Sequence, residues 1–213
     1  VVESYLPDYI AKALPMIRKN RGWAWFHANW GYEESKHSLA MRDWLLKSGA
    51  RTEEEMADLD DRTFEYEWNL PEDSPQGMVV YAMTQELATW LHYRNLKALI
   101  DAHGRGDPAL SKLLGLITVD ERAHHSFYRR LVQLFLELDR PATLEALRRV
   151  ILGFKMPAVH LLADSQQRVA QIGKLNIFNE ELFVRDVYKP IMDSLGLTSK
   201  DLRRTQPQRK SVF

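Results

Sequence analysis

The sequence predicts an all-α protein built around a four-helix bundle. Strict alternation of apolar and polar residues is nearly absent from its 213 residues, whereas apolar residues recur at helical spacing. Four of these helical segments are long, about 19 to 31 residues, and turn-forming residues separate them. The motif Glu-x-x-His occurs twice, at 34–37 and 121–124. In one class of four-helix bundle, two such motifs and two further glutamates hold a pair of metal ions.

The first two long segments end at recognisable stop signals. The first spans about 1–19 and stops at the polar and glycine residues 20–22. Pro15 lies inside this segment, where it should kink or end the helix. The second spans about 23–48 and ends at Gly49.

Two more long segments follow a short capped helix. Thr52 and Glu55 form the capping-box pattern that begins the short helix. Residues 69–76 read as a loop. The third long segment covers about 75–103, and the fourth covers about 108–138, with Pro108 well placed for its first turn.

Additional helices are predicted after the break at Arg140-Pro141, and residues 205–213 are predicted to be a flexible tail. The predicted C-terminal helices cover about 142–154, a stretch from the break at 156–157 to 172, 176–193 and 198–204. We expect one domain, 1–213. Because Val1 already lies in a segment of helical spacing, we expect further helices upstream of this sequence.

Composition excludes several classes of protein. The content is 45% hydrophobic and 27% charged, which is ordinary for a soluble globular domain. No apolar run is long enough for a membrane span, and no signal peptide is visible. The 29 basic and 29 acidic residues balance, so nothing predicts a nucleic-acid partner. The expected location is the cytoplasm, or the plastid stroma if the source is a plant.

The absence of cysteine restricts the metal chemistry. Disulfides, thiolate zinc sites and iron–sulfur clusters are excluded within the chain. Any metal must be bound by oxygen and imidazole nitrogen, a ligand set that suits non-haem iron or manganese.

Six residues on four successive helices form the predicted metal site. On a helix, residues three apart share a face, so each Glu-x-x-His motif presents a carboxylate and an imidazole together. Each motif is flanked by apolar residues, and buried carboxylates are costly unless paired or bound to metal. The predicted ligands are Glu3, Glu34, His37, Glu86, Glu121 and His124.

The register within each motif is not unique. Glu33 lies four residues before His37, and Asp120 lies four before His124, and residues at this spacing also share a face. The three-residue spacing common to both helices favours Glu34 and Glu121 as ligands. Asp120 then becomes a candidate hydrogen-bond partner for a ligating histidine.

Four further histidines fit no metal pattern and are expected on the surface or hydrogen-bonded in the core: His27, His92, His103 and His160. Trp30 lies one turn before Glu34, so we expect it beside the metal or a bound substrate.

These motifs together resemble those of the soluble acyl-acyl carrier protein desaturases of the stearoyl Δ9 type, which have a ferritin-like di-iron bundle. The similarity extends over nearly the whole chain. The matching segments are Glu-x-x-Leu-Pro-x-Tyr at 3–9, Trp-x-x-Glu-Glu-x-x-His at 30–37, Glu-x-x-Thr at 86–89 and Asp-Glu-x-x-His at 120–124. Relative to the plant enzymes, the interval between Glu3 and Glu34 is shorter and the upstream helices are absent.

The resemblance implies an activity and roles for individual residues. The activity would be insertion of a cis double bond into a fatty acyl chain, with two iron ions, O2 and electrons from a ferredoxin-like donor; manganese could substitute for iron. Glu34 and Glu121 would bridge the irons, and Thr89 would lie near the oxygen-binding face. Asp120 would hydrogen-bond His37 and join an electron-transfer route. The family also tends to form homodimers.

The substrate would need an apolar tunnel and a basic docking surface for acyl carrier protein. Trp30 and three residues one to two turns before Glu86 are predicted to line the tunnel: Met78, Val79 and Met83. Residues 18–21, or Arg148 and Arg149 with Lys155, could bind the acidic carrier.

Three other interpretations remain open at this point. The chain could be another di-iron oxygenase, such as a hydroxylase or N-oxygenase, or an iron-oxidising protein of the ferritin type. It could also be a helical scaffold whose metal site is vestigial. No Gly-x-Gly-x-x-Gly motif occurs, so nothing indicates a nicotinamide or flavin cofactor.

Overall fold

The computed structural model describes residues 2–103, 106–157, 161 and 163–203, and within these ranges the chain forms helices and no β-strand. Three of the four long helices of the predicted bundle are present at nearly their predicted lengths, and the first is shorter. The helices up to the end of the bundle are α1 (Leu6–Ile17), α2 (Arg21–Lys47), α3 (Glu53–Phe64), α4 (Pro75–Ala102) and α5 (Pro108–Leu138). The all-α prediction is confirmed.

The first helix differs from its prediction as one continuous α-helix. Val2–Tyr5 forms a single 3-10 turn, and α1 begins only at Leu6. Pro7 occupies the first turn of α1, where its missing N–H costs nothing. Pro15 lies inside α1, which ends two residues later. The Tyr9 hydroxyl donates to the Val2 carbonyl at 2.8 Å and holds the 3-10 turn against α1.

The other helices of this region begin with side-chain caps. Asn20, Ser74 and Asp107 each accept a hydrogen bond from a backbone N–H in the first turn of the following helix. Thr52 and Glu55 form both hydrogen bonds of the predicted capping box. These local signals explain why the helix starts lie close to their predicted positions.

The C-terminal part departs further from the sequence prediction. Its helices are α6 (Arg140–Gly153), α7 (Ser165–Lys174) and α8 (Glu180–Phe183), and α8 continues through a π-helical turn, Val184–Tyr188, into α9 (Lys189–Ser194). The helix predicted over 198–204 is wrong, because the described residues 199–203 form turns and a bend. The predicted tail 205–213 lies outside the described residues.

The core lies between α4, α5 and the elements packed on them. The antiparallel neighbours α4 and α5 share the most extensive helix contact, and α6 packs against both of them. Most of the buried side chains are apolar, and the fully buried examples include Val79, Val80, Met83, Leu91 and Leu147. No helix in the described part of the chain is both long and apolar enough to cross a lipid bilayer.

Two leucines on α5 provide a direct test of this packing. Leu114 is 0% exposed and Leu116 is 60% exposed, although only one residue separates them. We expect Leu114→Ala to lower the free energy of unfolding by about 2–5 kcal/mol, because it removes apolar contacts and leaves a cavity. Leu116→Ala should change it by less than about 0.5 kcal/mol. Urea denaturation of both variants measures this; equal losses would contradict the orientation of α5.

Candidate metal centre

Four elements of the fold bring the six predicted ligands together. Glu3 comes from the 3-10 turn, Glu34 and His37 from α2, Glu86 from α4, and Glu121 and His124 from α5. They form two groups in which the ligand atoms lie within 4.8 Å of one another. One group is Glu3, Glu34, His37 and Glu121; the other is Glu34, Glu86, Glu121 and His124.

The four glutamates differ in the number of ligand groups to which they belong. Glu34 and Glu121 belong to both groups, so each can offer oxygen atoms to two neighbouring cations. Glu3 and Glu86 each belong to one group and are the terminal carboxylates of the arrangement.

The centre is deeply buried. Glu86, Glu121 and His124 are each 1% exposed, and Glu34 is 4% exposed. Ionised carboxylates are rarely buried at this depth unless cations or hydrogen bonds compensate them.

Several polar atoms of these residues lack a partner with hydrogen-bond geometry among the described residues. They are Glu34 Oε1, His37 Nδ1, Glu86 Oε2, Glu121 Oε1 and His124 Nδ1. Some are close to one another without forming a hydrogen bond, as with His124 Nδ1 and Glu34 Oε1 at 3.0 Å. Every one of them is a potential metal ligand, and they converge on the same space. The residues present therefore fit a pair of cations bound by oxygen and nitrogen.

The other ring nitrogen of each histidine contacts an acidic residue from the opposite helix. His37 Nε2 lies 3.1 Å from Asp120 Oδ2, and His124 Nε2 lies 2.7 Å from Glu33 Oε2. Such contacts orient the rings and leave Nδ1 free to bind a metal. The contact of Asp120 with His37 is the one that the resemblance implied. Its part in electron transfer stays a prediction. The contact of Glu33 was missed, although an acidic residue precedes both motifs in the sequence.

The pKa values show how strongly these groups depend on one another. Burial and the neighbouring Glu34 carboxylate raise the pKa of Glu3 to about 8. Burial also raises the pKa of Glu34. The contacts of Glu34 with His124 and His37 outweigh the effect of burial and lower this pKa to about 2. Burial disfavours the charged form of His124, yet Glu34 and Glu86 raise its pKa to about 11.

Glu121 shows the clearest crowding of carboxylates. Burial raises its pKa well above the usual value, and the charges of Glu34, Glu86 and Glu3 add to this effect. Protons bound by the glutamates and histidines thus offset the negative charge of the carboxylates. Bound cations would offset the same charge in their place.

Two aromatic side chains hydrogen-bond the terminal carboxylates. Trp30 Nε1 donates to Glu86 Oε1 at 3.0 Å, which places Trp30 beside the centre as predicted. The Tyr93 hydroxyl donates to Glu3 Oε1 at 2.5 Å. Tyr93 was not predicted; it lies seven residues after Glu86, on the same face of α4, and this helical spacing could have identified it.

Thr89 lies one turn after Glu86 on α4. Its side chain is buried, and Oγ1 has no hydrogen-bond partner in the part of the chain that the structure describes. The hydroxyl is therefore available to form a hydrogen bond with a bound molecule.

A groove of about 1420 Å³ reaches the metal centre from one side. Glu3 and Tyr93 line it, and apolar side chains of α2, α3 and α7 line much of the rest. Examples of these apolar residues are Met41, Leu45, Leu59 and Val169.

The residues predicted to form a tunnel lie elsewhere. Met78, Val79, Met83 and Trp30 belong to the packed core, and none of them lines the groove. Their contact with a substrate stays a prediction.

The remaining histidines follow their expected placement where they are described. His27 is 2% exposed, its Nδ1 lies 3.3 Å from the Tyr128 hydroxyl, and its ring stacks on Trp30. His92 Nδ1 contacts the Ala88 carbonyl, and His103 is exposed. His160 lies outside the described residues.

Comparison with known proteins shows the family and the fold of this chain. A family model described as fatty acid desaturase matches residues 1–195, and the chain belongs to that family. The ferritin-like fold is also that of DesA2 from Mycobacterium tuberculosis H37Rv, whose X-ray structure matches with a TM-score of 0.67 at 23% identity. That match covers 92% of this chain and 74% of DesA2.

Two curated relatives are plant proteins named for a substrate carried on acyl carrier protein. Acyl-[acyl-carrier-protein] desaturase 6 of Oryza sativa subsp. japonica is 31% identical over 63% of this chain. Stearoyl-[acyl-carrier-protein] 9-desaturase of Linum usitatissimum is 27% identical over 94% of this chain. The matched regions span 33% and 49% of these relatives, so the chain corresponds to half of their length or less.

Removal of Glu121 should abolish metal binding without unfolding the bundle. Glu121 belongs to both ligand groups, and its carboxyl is a buried acid crowded by other carboxylates. We expect Glu121→Ala to bind less than about one metal per chain and to retain its helix content. Elemental analysis and far-UV circular dichroism measure these properties. Glu137→Ala, at an exposed position on the same helix, is the control; two metals retained in Glu121→Ala would refute the assignment.

Acidification should destabilise the chain through His27. Burial lowers the pKa of His27 to about 4 from 6.5. The folded chain therefore binds fewer protons than the unfolded chain between these values, and stability falls as the pH falls through this window. The loss should reach roughly 3 kcal/mol near pH 4. Urea denaturation across the window should show a shallower pH dependence for His27→Gln. His103→Gln should retain the parent dependence, and an unchanged profile in His27→Gln would be inconsistent with this explanation.

Proposed function

We propose that this chain carries the di-iron centre of an acyl-[acyl-carrier-protein] desaturase. The reaction would insert a cis double bond into a saturated acyl chain, with O2 as oxidant and electrons from a ferredoxin-like donor. The observation that supports this most directly is the convergence of four buried glutamates and two histidines, with two of the glutamates shared between the ligand groups. The names of the relatives support the acyl carrier protein as the source of the substrate.

Iron is the metal that we propose for both positions, with manganese as a possible substitute. When bound, the metals would supply the redox chemistry that activates O2 and removes two hydrogens from the acyl chain. Glu34 and Glu121 would hold the two ions together, and His37 and His124 would bind one ion each through Nδ1.

Residues around the centre would orient the ligands and conduct charge. Asp120 is 33% exposed and contacts His37, so the pair connects the buried centre with the surface. We assign this connection to electron entry. The unpartnered hydroxyl of Thr89 is positioned to donate or accept a hydrogen bond at the oxygen-binding face.

The apolar groove is the site that we propose for the acyl chain. It is large enough for an extended lipid chain, and Glu3 of the proposed metal centre lines it. An apolar environment would exclude water from the reacting methylenes, and the shape of the groove would decide which pair lies beside the metals.

Lys155 is the docking residue that we favour for acyl carrier protein. It lines the groove, is exposed, and forms no ion pair among the described residues. Arg148 and Arg149 are less suitable, since they already pair with Glu145 and Glu72, each at 2.7 Å. Residues 18–21 are exposed but do not line the groove.

A homodimer in the cytoplasm, or in the plastid stroma of a plant, completes the proposal. Val119 is 67% exposed on α5, and Trp25 is 70% exposed on α2. Exposed apolar side chains of this size are common where a second subunit packs.

Product analysis tests the reaction. The chain is incubated with stearoyl-acyl carrier protein, reduced ferredoxin and O2, and the released fatty acid is analysed by mass spectrometry. We expect loss of two hydrogens in the parent chain and no change with Glu121→Ala. Gain of an oxygen atom would instead indicate a hydroxylase, and iron oxidation without any lipid product would indicate an iron-oxidising protein.

Charge reversal tests the docking residue. We expect Lys155→Glu to raise KM for the acyl carrier protein several-fold, most at low salt, with kcat little changed, because rim charges steer association. Lys19→Glu is the matched control on the alternative surface. A larger increase in KM for Lys19→Glu than for Lys155→Glu would indicate that the carrier docks at residues 18–21.

A further inference from the structure

The two terminal carboxylates of the proposed metal centre are held by different neighbours. Glu86 Oε1 accepts its hydrogen bond from Trp30 Nε1, and Glu3 Oε1 accepts one from the Tyr93 hydroxyl. Each carboxylate belongs to only one ligand group. Each aromatic donor therefore acts on one metal position and not on the other.

The neighbours of Glu86 are packed on every side. Trp30 is 4% exposed and stacks on the His27 ring, with centroids 4.7 Å apart and planes at 11°. His27 in turn contacts the buried Tyr128 hydroxyl. Glu86 itself lies in the middle of α4, so both its backbone and its carboxylate are fixed before a metal binds.

The neighbours of Glu3 are less enclosed. Glu3 lies on a single 3-10 turn rather than on a long helix, and the residue is half-buried. Glu3 and Tyr93 both line the groove, so one side of this pair borders open space. The hydrogen bond from Tyr93 joins this short turn to the rigid helix α4.

We propose that the two metal positions are unequal and that Tyr93 is the positioning residue of the weaker one. The position that contains Glu86 fills first. The position that contains Glu3 fills second and depends on Tyr93 to place the Glu3 carboxylate. This inference rests on the metal centre of the proposed function and concerns the order and strength of binding at its two positions.

The asymmetry has a consequence for the groove. Because Glu3 also lines the groove, displacement of its carboxylate would open the weaker position toward the proposed acyl-chain site. Tyr93 thereby sets how readily that side of the centre becomes accessible.

Manganese titration tests the inference without measuring activity. The metal-free chain is titrated with Mn(II), the bound metal is measured by equilibrium dialysis, and electron paramagnetic resonance distinguishes single ions from spin-coupled pairs. We expect two steps in the parent chain, with the coupled signal appearing only at the second. Tyr93→Phe should raise the second dissociation constant roughly 10–100-fold and leave the first unchanged.

Two control variants separate positioning from a general loss of structure. Tyr81→Phe removes a hydroxyl from a buried tyrosine on the same helix, which donates to the Lys155 carbonyl instead of a ligand, and it should leave both steps unchanged. Trp30→Phe should weaken the first step by a similar factor. Circular dichroism of each variant confirms that it is folded.

The outcomes distinguish this inference from the proposed function. Two manganese ions bound with an unchanged second step in Tyr93→Phe would overturn the role of Tyr93 while the metal centre stands. Equal weakening of both steps in that variant would also overturn it. A parent chain that binds no manganese and no iron would refute the metal centre itself.

Discussion

The rest of the structure depends on the burial of four carboxylates and two imidazoles at one point between the helices. Such a cluster is unfavourable unless its charges are compensated, because each carboxylate loses its hydration and repels the others. The raised pKa of Glu121 and the lowered pKa of Glu34 are the two signs of this conflict within a single cluster. The pair of divalent cations that we propose would offset these charges.

The centre is organised as two similar halves. In each half, an acidic residue stands directly before a Glu-x-x-His motif and contacts the histidine of the other half: Asp120 contacts His37, and Glu33 contacts His124. The shared ligands Glu34 and Glu121 lie between these contacts. The terminal ligands break the similarity, since Glu86 comes from a long helix and Glu3 from a single turn. One side of the bundle is consequently closed, and the other borders the groove.

Sequence patterns were reliable where local interactions determine the structure. The caps at Asn20, Thr52, Ser74 and Asp107 fix helix starts through hydrogen bonds to residues three positions away. The three-residue spacing placed each glutamate beside its histidine for the same reason. The same patterns failed at 198–204, where the Asp201 carboxylate accepts hydrogen bonds from the Thr198 backbone N–H and hydroxyl, and the described residues 199–203 form turns and a bend.

The sequence by itself determined the helical class and the two Glu-x-x-His pairs, because each follows from neighbours within a turn or two along the chain. The order of the helices and the family resemblance added Glu3 and Glu86 to the candidate ligands, and all six residues converge in the structure. Only the tertiary structure decided which residues support those ligands. Tyr93 meets Glu3 across 90 positions of sequence, and Glu33 meets His124 across 91. It also decided that the groove runs along α2, α3 and α7 rather than past Met78, Val79 and Met83. Contacts between distant segments depend on how whole helices pack, and no local pattern encodes that arrangement.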